Sequence, residues 1–216
     1  MRFADRTAAA RRLAATVAAH LGTLPAGRPL ILGLPRGGVP MAAIIARHVG
    51  GDLDVTVARK IGAPGHPEFG IGAVAASGAP IFDAHSLHRL GLTPDDLAVA
   101  VERERTEAHR RLTAYRGTRP APEITGRIVI VVDDGLATGV TARAAVRALR
   151  AHRPAHLALA VPVCTPEARD LLAAETDAVL CLHCPSDFRA VGAFYDDFAQ
   201  LTDEDVHAAL AAAVHP

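Results

Sequence analysis

The chain has 216 residues, of which 50% are hydrophobic and 21% are charged, and its 23 basic and 23 acidic side chains balance to zero net charge. This balance argues against the strongly basic surface that nucleic acid or an anionic membrane would require. No apolar run approaches the roughly 18 residues of a membrane span. The length suits one sizeable α/β domain over residues 1–216, which we expect to be soluble and cytoplasmic.

The chain opens with a predicted amphipathic helix over residues 4–21, where apolar side chains recur at helical spacing. Asp5 is a candidate N-cap for this helix. The apolar run 30–34 then predicts a first core strand, and the following residues predict a helix that ends near Gly50.

The loop between this strand and this helix has the character of an anion site. It reads Pro-Arg-Gly-Gly-Val-Pro over 35–40. Arg36 can donate two hydrogen bonds to phosphate oxygens, and Gly37 and Gly38 leave the backbone amides uncovered. The helix N-terminus also favours negative charge. Because a simple tight turn would not need an arginine between proline and glycine, we predict that this loop binds phosphate.

The next predicted strand, over 53–58, runs into two cations. These are Arg59 and Lys60, and Lys60 is the only lysine in the chain. The segment 61–69 that follows is rich in glycine and proline and is predicted to be a mobile loop that closes over the site and excludes water. Its His66 is either a proton carrier or an ordinary exposed loop histidine.

Residues 76–123 are predicted to form an inserted helical arm. A strand is predicted at 71–75 before the arm, and within the arm a small hairpin is predicted near 80–82 and a long helix over 93–115. This helix is densely charged and has only a narrow apolar stripe, which is typical of a helix at a surface or interface. We expect the arm to cover the site or to pack on the second subunit of a homodimer.

The most specific signal lies in Arg127–Arg143, which reads RIVIVVDDGLATGVTAR. The apolar run 128–132 predicts a buried parallel strand. Asp133 and Asp134 follow at once, and the loop 135–139 leads into a helix. The amides and hydroxyls of this loop suit a phosphate, whereas two carboxylates suit hydroxyl groups or a divalent cation. Together they indicate a ribose 5-phosphate.

Strand and helix alternate again in the remainder of the chain. The patterns predict helices over 141–152 and 165–174, strands over 156–163 and 178–184, and a small hood over 185–201. This alternation predicts an α/β fold with a central, mainly parallel sheet flanked by helices, and with binding sites at the carboxyl ends of the strands.

The hood is rich in aromatic residues although aromatic residues make up only 4% of the chain. Phe188, Phe194 and Tyr195 could stack on a flat base. In the alternative interpretation, Phe194 and Phe198 pack the C-terminal helix onto the core.

Cys181 and Cys184 have the spacing of a CxxC motif. A zinc site would need two further ligands, and no second pair stands out. We therefore interpret both as core cysteines of a strand.

An apolar strand, two acidic residues, two loop residues and Ala-Thr-Gly-x-Thr together resemble the phosphoribosyl pyrophosphate (PRPP) motif of type I phosphoribosyltransferases. The combination of LPRGGVP with DDGLATGVT is similar to one branch of that family. The resemblance implies the type I fold, PRPP and a small base as substrates, Mg²⁺ as cofactor and a homodimer.

The resemblance also implies a role for each group of site residues. The residues that would receive the pyrophosphate are Arg36, Gly37, Gly38, Arg59 and Lys60. Those that would hold the 5-phosphate are Gly135, Ala137, Thr138, Gly139, Val140 and Thr141. Asp133 and Asp134 would bind the ribose hydroxyls, directly or through Mg²⁺, and Asp197 would be a third metal ligand. Phe188 and Tyr195 would bind the base. The catalytic set would be Asp133, Asp134, Lys60 and Arg36.

Two departures leave the acceptor unassigned. Ala137 stands where the hypoxanthine-guanine branch has an aspartate, and no lysine occurs in the stretch 160–163 that ends the following strand. Two alternative functions stay open at this point. One is a non-catalytic regulator that binds PRPP, and the other is hydrolysis or phosphorolysis of a ribosyl phosphate on the same scaffold.

Overall fold

The computed structural model describes residues 1–212. Its helices are α1 (Arg6–Leu21), α2 (Gly38–Val49), α3 (Ala84–Leu90), α4 (Ala98–Arg116), α5 (Val140–Arg150), α6 (Pro166–Ala173) and α7 (Asp203–Ala211). Its strands are β1 (Leu30–Gly33), β2 (Asp52–Val55), β3 (Ala58–Ala63), β4 (His66–Ala75), β5 (Ile81–Phe82), β6 (Ile128–Val132), β7 (His156–Val163) and β8 (Ala178–His183). Short 3₁₀ turns span Asp95–Leu97 and Val191–Phe194.

A parallel sheet of five strands, in the order β2-β1-β6-β7-β8, forms the centre of the fold. The strands β1 and β6 are neighbours in register, so that Gly33 lies opposite Val132. Because both strands are parallel, the loops that follow them leave the sheet at the same edge. The structure confirms the predicted α/β fold with a central parallel sheet.

Alternation along the strands sends successive side chains to opposite faces of the sheet. Ile31 and Ile130 point to the face covered by α1 and α2, where they share a core with Leu13 and Met41. The neighbouring residues of the same strands, among them Val131, pack on the other face against α5 and α6. Burial on both faces explains why β1 and β6 read as uninterrupted apolar runs.

The prediction of a single strand over 53–58 is wrong, and so is the prediction of a loop over 61–69. The chain breaks after β2, and residues 58–63 and 66–75 pair as an antiparallel hairpin that turns at Gly65, whose φ is 74°. Together with β5 the hairpin forms a second, three-stranded sheet. Ile61 and Ile71 are buried in a small core that the hairpin shares with side chains of the arm. These packing contacts stabilise strands in a segment whose glycines and prolines favour a loop.

The arm differs in detail from its prediction. Asp83 caps an additional helix, α3, that the sequence pattern did not predict. The long helix α4 starts at Ala98 after a 3₁₀ turn, rather than at residue 93 as predicted. Arg116 at its C-terminal end donates to the buried carboxylate of Asp54 at 2.9 Å. This contact ties the arm to strand β2 of the central sheet.

The N-terminus and the hood are joined by backbone hydrogen bonds. The Phe3 amide donates to the Phe194 carbonyl at 2.8 Å, and the Asp196 amide donates to the Phe3 carbonyl at 2.8 Å. Asp5 caps α1 as predicted, accepting from the Ala8 amide at 2.7 Å. The start of α1 is therefore fixed beside residues 194–197 of the hood.

The cysteines lie near the carboxyl end of the sheet. Cys164 is buried, and Cys181 and Cys184 are partly buried. The Sγ atoms of Cys164 and Cys181 are 3.1 Å apart, and both are thiols. Across residues 1–212, no helix is both long and apolar enough to cross a membrane.

A pair of histidines at the opposite edge of the sheet predicts a pH dependence of stability. The Nε2 atoms of His20 and His156 are 2.9 Å apart. Burial lowers the pKa of His156, and the neighbouring His20 and Arg150 lower it further, against the opposing effect of Asp177. The unfolded chain therefore binds a proton at His156 more readily than the folded chain does. The contribution of neutral His156 to the free energy of unfolding is thus complete above a pH of about 6.5 and is lost as the pH falls.

We expect the variant His156→Gln to show a flatter decline of unfolding free energy between pH 7 and pH 5 than the wild type. The measurement is urea unfolding at a series of pH values. The variant His88→Gln, which changes an exposed histidine on α3, serves as the control and should leave the decline unchanged. Equal slopes for the wild type and His156→Gln would contradict the assignment.

Candidate functional site

The loops after β1 and β6 meet at the carboxyl edge of the central sheet. Gly37 lies against the side chain of Asp134 so closely that a Cβ added to it would be 1.8 Å from the Asp134 Oδ2 atom. A Cβ added to Gly38 would be 2.2 Å from the Val132 carbonyl oxygen. Glycine is therefore required at both positions by close approach. The structure thus brings the predicted phosphate loop and the predicted acidic pair together in one place.

The two carboxylates of the acidic pair repel each other. Asp133 follows strand β6 directly, and its Oδ1 accepts the Asp134 amide at 2.9 Å. Burial raises the pKa of Asp133, and the neighbouring charge of Asp134 raises it further. Burial also raises the pKa of Asp134, although Arg6 opposes that rise. Two partly desolvated carboxylates side by side suit a ligand that brings positive charge or hydroxyl donors.

Arg6, on the first turn of α1, is a site residue that the sequence analysis missed. Its Nε donates to the Asp134 Oδ2 at 2.8 Å, and only 14% of its side chain is exposed. In the sequence it is one of several arginines of an amphipathic helix, with no motif around it. Only the spatial proximity of α1 to the end of β6 reveals the contact.

The hood supports the acidic pair through Tyr195. Its hydroxyl donates to the Asp134 carbonyl oxygen at 2.6 Å. The ring is 2% exposed and packs between Phe3 and Phe198. A ring buried in this way does not offer a face to a flat base, so the structure gives Tyr195 a supporting position instead of the predicted stacking position.

The other predicted hood residues are placed differently. Phe188 is partly buried, with its ring centroid 5.2 Å from that of Phe194. Asp197 is exposed, and its Oδ1 accepts the Ala199 amide at 3.0 Å. Among residues 1–212, no group of three or more His, Cys, Asp or Glu side chains could hold a metal ion. Asp197 therefore does not complete a three-ligand protein site with Asp133 and Asp134.

The cationic side of the site is a polar pocket of about 390 Å³ between the hairpin, the arm and both loops. Its lining includes Pro35, Lys60 and Thr141. The Lys60 Nζ donates to the Glu68 carbonyl at 3.0 Å across the hairpin. Arg36 is partly exposed, with its Nη1 3.8 Å from a carboxylate oxygen of Asp203. Of the residues predicted for the site, Arg59, Lys60 and Thr141 line this pocket, whereas Arg36 and the acidic pair do not.

Arg59 has a partner that the sequence did not suggest. Its Nε donates at 2.7 Å to Glu104 of α4, and the Glu104 side chain is only 10% exposed. Arg103 contacts the same carboxylate at 3.0 Å. The arm thus contributes charged side chains to the wall of the pocket.

The loop after the acidic pair leads into helix α5. Gly139 occupies the N-cap position with a φ of 69°, a left-handed conformation that favours glycine. The amides of the first turn of α5 have no partner within the helix and face the loop. The Thr165 hydroxyl donates to the Ala137 carbonyl at 2.8 Å, and the Leu136 amide donates to the Val163 carbonyl at 2.9 Å. These bonds anchor the loop to the end of β7.

Comparison with known proteins agrees with this architecture. The sequence model of a family described as "Phosphoribosyl transferase domain" matches residues 3–199. A protein of Mycobacterium tuberculosis strain H37Rv, provisionally named a phosphoribosyl transferase, is 38% identical over 208 residues. The match covers 96% of this chain and 46% of the relative, so the chain spans about half the length of the curated relatives it matches.

One solved structure is similar to this chain over nearly its whole length. The crystal structure of the protein TT1426 from Thermus thermophilus is 42% identical and superposes with a TM-score of 0.80 over 97% of this chain and 98% of that one. The central parallel sheet with helices on both faces defines the class of the protein as α/β. Within that class, the chain belongs to the phosphoribosyl transferase domain family.

Proposed function

We propose that the protein is a Mg²⁺-dependent phosphoribosyltransferase that transfers the 5-phosphoribosyl group of PRPP to a nitrogenous base or related acceptor and releases pyrophosphate. The observation that carries the proposal is the contact between Gly37 and the Asp134 carboxylate. It supports the interpretation of the Arg-Gly-Gly loop and the acidic motif as two halves of one site. A ligand with a ribose between a phosphate and a pyrophosphate matches that arrangement.

Each half of the site has a chemical task in this proposal. Asp133 and Asp134 accept hydrogen bonds from the ribose hydroxyls, while Thr138, Thr141 and the amides of α5 hold the 5-phosphate. Arg36 and Lys60 stabilise the negative charge that develops on pyrophosphate as the bond to C1 breaks. The hairpin of β3 and β4 borders the polar pocket that Thr141 also lines, and it would limit access of water to the reacting carbon.

The acidic pair also suits the expected metal. Asp133 and Asp134 are adjacent carboxylates, and the burial that raises both pKa values would be offset by a divalent cation. Mg²⁺ is commonly bound by one or two carboxylates together with substrate oxygens. When bound, it would neutralise charge on the leaving group. The protein residues that would hold it are Asp133 and Asp134.

The direct test is release of pyrophosphate from PRPP in the presence of Mg²⁺, screened against a panel of purine bases, pyrimidine bases and amines. We expect turnover that depends on both the acceptor and Mg²⁺. Release that is independent of any acceptor would indicate hydrolysis instead. Tight PRPP binding without turnover on any acceptor would contradict the transferase and favour a PRPP-binding regulator.

A further inference from the structure

Arg6 is held at the site by contacts on three sides of its guanidinium group. Its Nε donates to the Asp134 Oδ2 at 2.8 Å, and its Nη1 donates to the Ala199 carbonyl at 2.8 Å. The Cζ atom lies 3.8 Å from the centroid of the Phe198 ring. A planar guanidinium that forms two hydrogen bonds and stacks on an aromatic face is a well-ordered cation, because each contact restricts a different motion.

These contacts form part of a closed ring of residues around Asp134. Phe198, which supports Arg6, stacks on Tyr195 with ring centroids 4.9 Å apart. The Tyr195 hydroxyl returns to the Asp134 carbonyl at 2.6 Å. This closed set of contacts, from Arg6 through Phe198 and Tyr195 to Asp134, therefore links α1, the end of β6 and the hood. The backbone bonds of Phe3 to residues 194 and 196 hold the same three parts together.

One oxygen of the Asp134 carboxylate, Oδ2, is consequently in contact with the chain on two sides. Oδ2 accepts from Arg6 and also lies against Gly37 of the Arg-Gly-Gly loop. Asp133 stands next to it with a like charge, and like charges repel strongly when they are partly desolvated. Without the guanidinium, repulsion would favour an Asp134 side chain that turns away from Asp133.

We propose that Arg6 is a positioning residue for the ribose. It holds Oδ2 of Asp134, so that Oδ1 is presented to the sugar hydroxyls in one fixed orientation. The inference rests on the proposed function, because it assumes a ribose at the acidic pair. It assigns to the N-terminal helix an indirect part in substrate binding, through Asp134, whereas the sequence analysis predicted only an amphipathic helix there.

The test is calorimetric titration of Arg6→Ala with three ligands, each with Mg²⁺: PRPP, ribose 5-phosphate and inorganic pyrophosphate. We expect affinity for PRPP and ribose 5-phosphate to fall by about tenfold or more, because a charge-assisted contact orients the accepting group. Affinity for pyrophosphate should fall much less, because pyrophosphate has no ribose hydroxyls for Asp134 to bind. The affinity of Arg6→Lys for the two sugar ligands should lie between the affinities of the wild type and of Arg6→Ala. Lysine keeps the positive charge but loses the planar guanidinium that stacks on Phe198.

Two further variants separate positioning from general support of the fold. Arg12→Ala removes another α1 arginine, which stands over the Phe3 ring at 5.4 Å and makes no contact with Asp134, so it should bind all three ligands normally. In an Asp134→Asn background, adding Arg6→Ala should cause little further loss for the sugar ligands, because the two residues act through one contact.

The outcomes distinguish the inference from the proposed function. Equal losses for all three ligands, or additive losses in the double variant, would reduce Arg6 to a structural role and overturn the inference. Unchanged or tighter sugar binding by Arg6→Ala would also overturn it. A wild-type chain that binds neither PRPP nor ribose 5-phosphate contradicts the proposed function itself, and the inference with it.

Discussion

The double variant Asp133→Asn with Asp134→Asn is expected to abolish PRPP binding while the chain remains folded. Each carboxylate would accept a charge-assisted hydrogen bond from a ribose hydroxyl or contribute to Mg²⁺ binding, and such bonds contribute about 1.5–3 kcal/mol each. Losing both should weaken binding by roughly 100-fold or more. The measurement is titration calorimetry of PRPP with Mg²⁺, followed by pyrophosphate release.

The matched control is Asp170→Asn, which changes an exposed carboxylate of α6 that pairs with Arg169. It should bind PRPP as the wild type does. If the double variant bound PRPP with unchanged affinity, the placement of the ribose at the acidic pair would be refuted.

The single variant Asp133→Asn should lose binding and yet gain stability at neutral pH. Burial and Asp134 raise the pKa of Asp133 in the folded chain. The folded chain therefore holds this proton more tightly than the unfolded chain, so stability falls as the pH rises through the interval between the two pKa values. Asparagine removes that cost and can still accept the Asp134 amide.

Urea unfolding between pH 3 and pH 8 tests this expectation. The wild type should lose stability relative to Asp133→Asn as the pH rises, and Asp170→Asn should follow the wild type. A lower stability of Asp133→Asn at pH 7 would show that the buried carboxylate stabilises the fold.

The second large effect is expected from Gly37→Ala. Its Cβ would stand 1.8 Å from the Asp134 Oδ2, so either the carboxylate or the loop must move. Overpacking of this kind commonly destabilises by about 1–3 kcal/mol. A displaced Asp134 also loses its contact with Arg6. We expect PRPP affinity to fall by about 10- to 100-fold and the melting temperature to drop.

Another glycine of the chain provides the control for this variant. Gly27→Ala adds a Cβ with no atom within 4 Å and should be neutral in both measurements. Adding Asp134→Ala to Gly37→Ala removes the obstructing carboxylate. The melting temperature should then recover in part, because the Cβ of residue 134 would remain 3.0 Å from the added Cβ. PRPP binding should stay weak, and a melting temperature with no recovery would show that the obstruction lies elsewhere.

Short sequence patterns predict much of this architecture. The apolar runs of β1 and β6 are buried on both faces, so their pattern is unambiguous. Asp5 and Thr165 mark helix starts because an N-cap is a local interaction between neighbours in the chain. The acidic pair and the Arg-Gly-Gly loop are predicted to converge because the carboxyl ends of parallel strands share one edge.

The hairpin over 58–75 shows where prediction from local sequence fails. Residues 61–69 contain glycine, proline and charged side chains, which individually favour a loop. They nevertheless pair as strands, because Ile61 and Ile71 are buried against the arm, a partner distant in sequence. Strand formation depends more on such cross-strand and packing contacts than on intrinsic preference.

The sequence alone thus determined the parallel sheet and the positions of the two loops and the acidic pair that follow its strands, since each depends on contiguous residues. The tertiary structure alone decided which side chains complete the site. Arg6 reaches Asp134 from the first helix, Tyr195 supports it from the hood, and Glu104 holds Arg59 from the arm. No local pattern encodes these contacts, because each one joins chain segments that meet only when the sheet and its helices have packed.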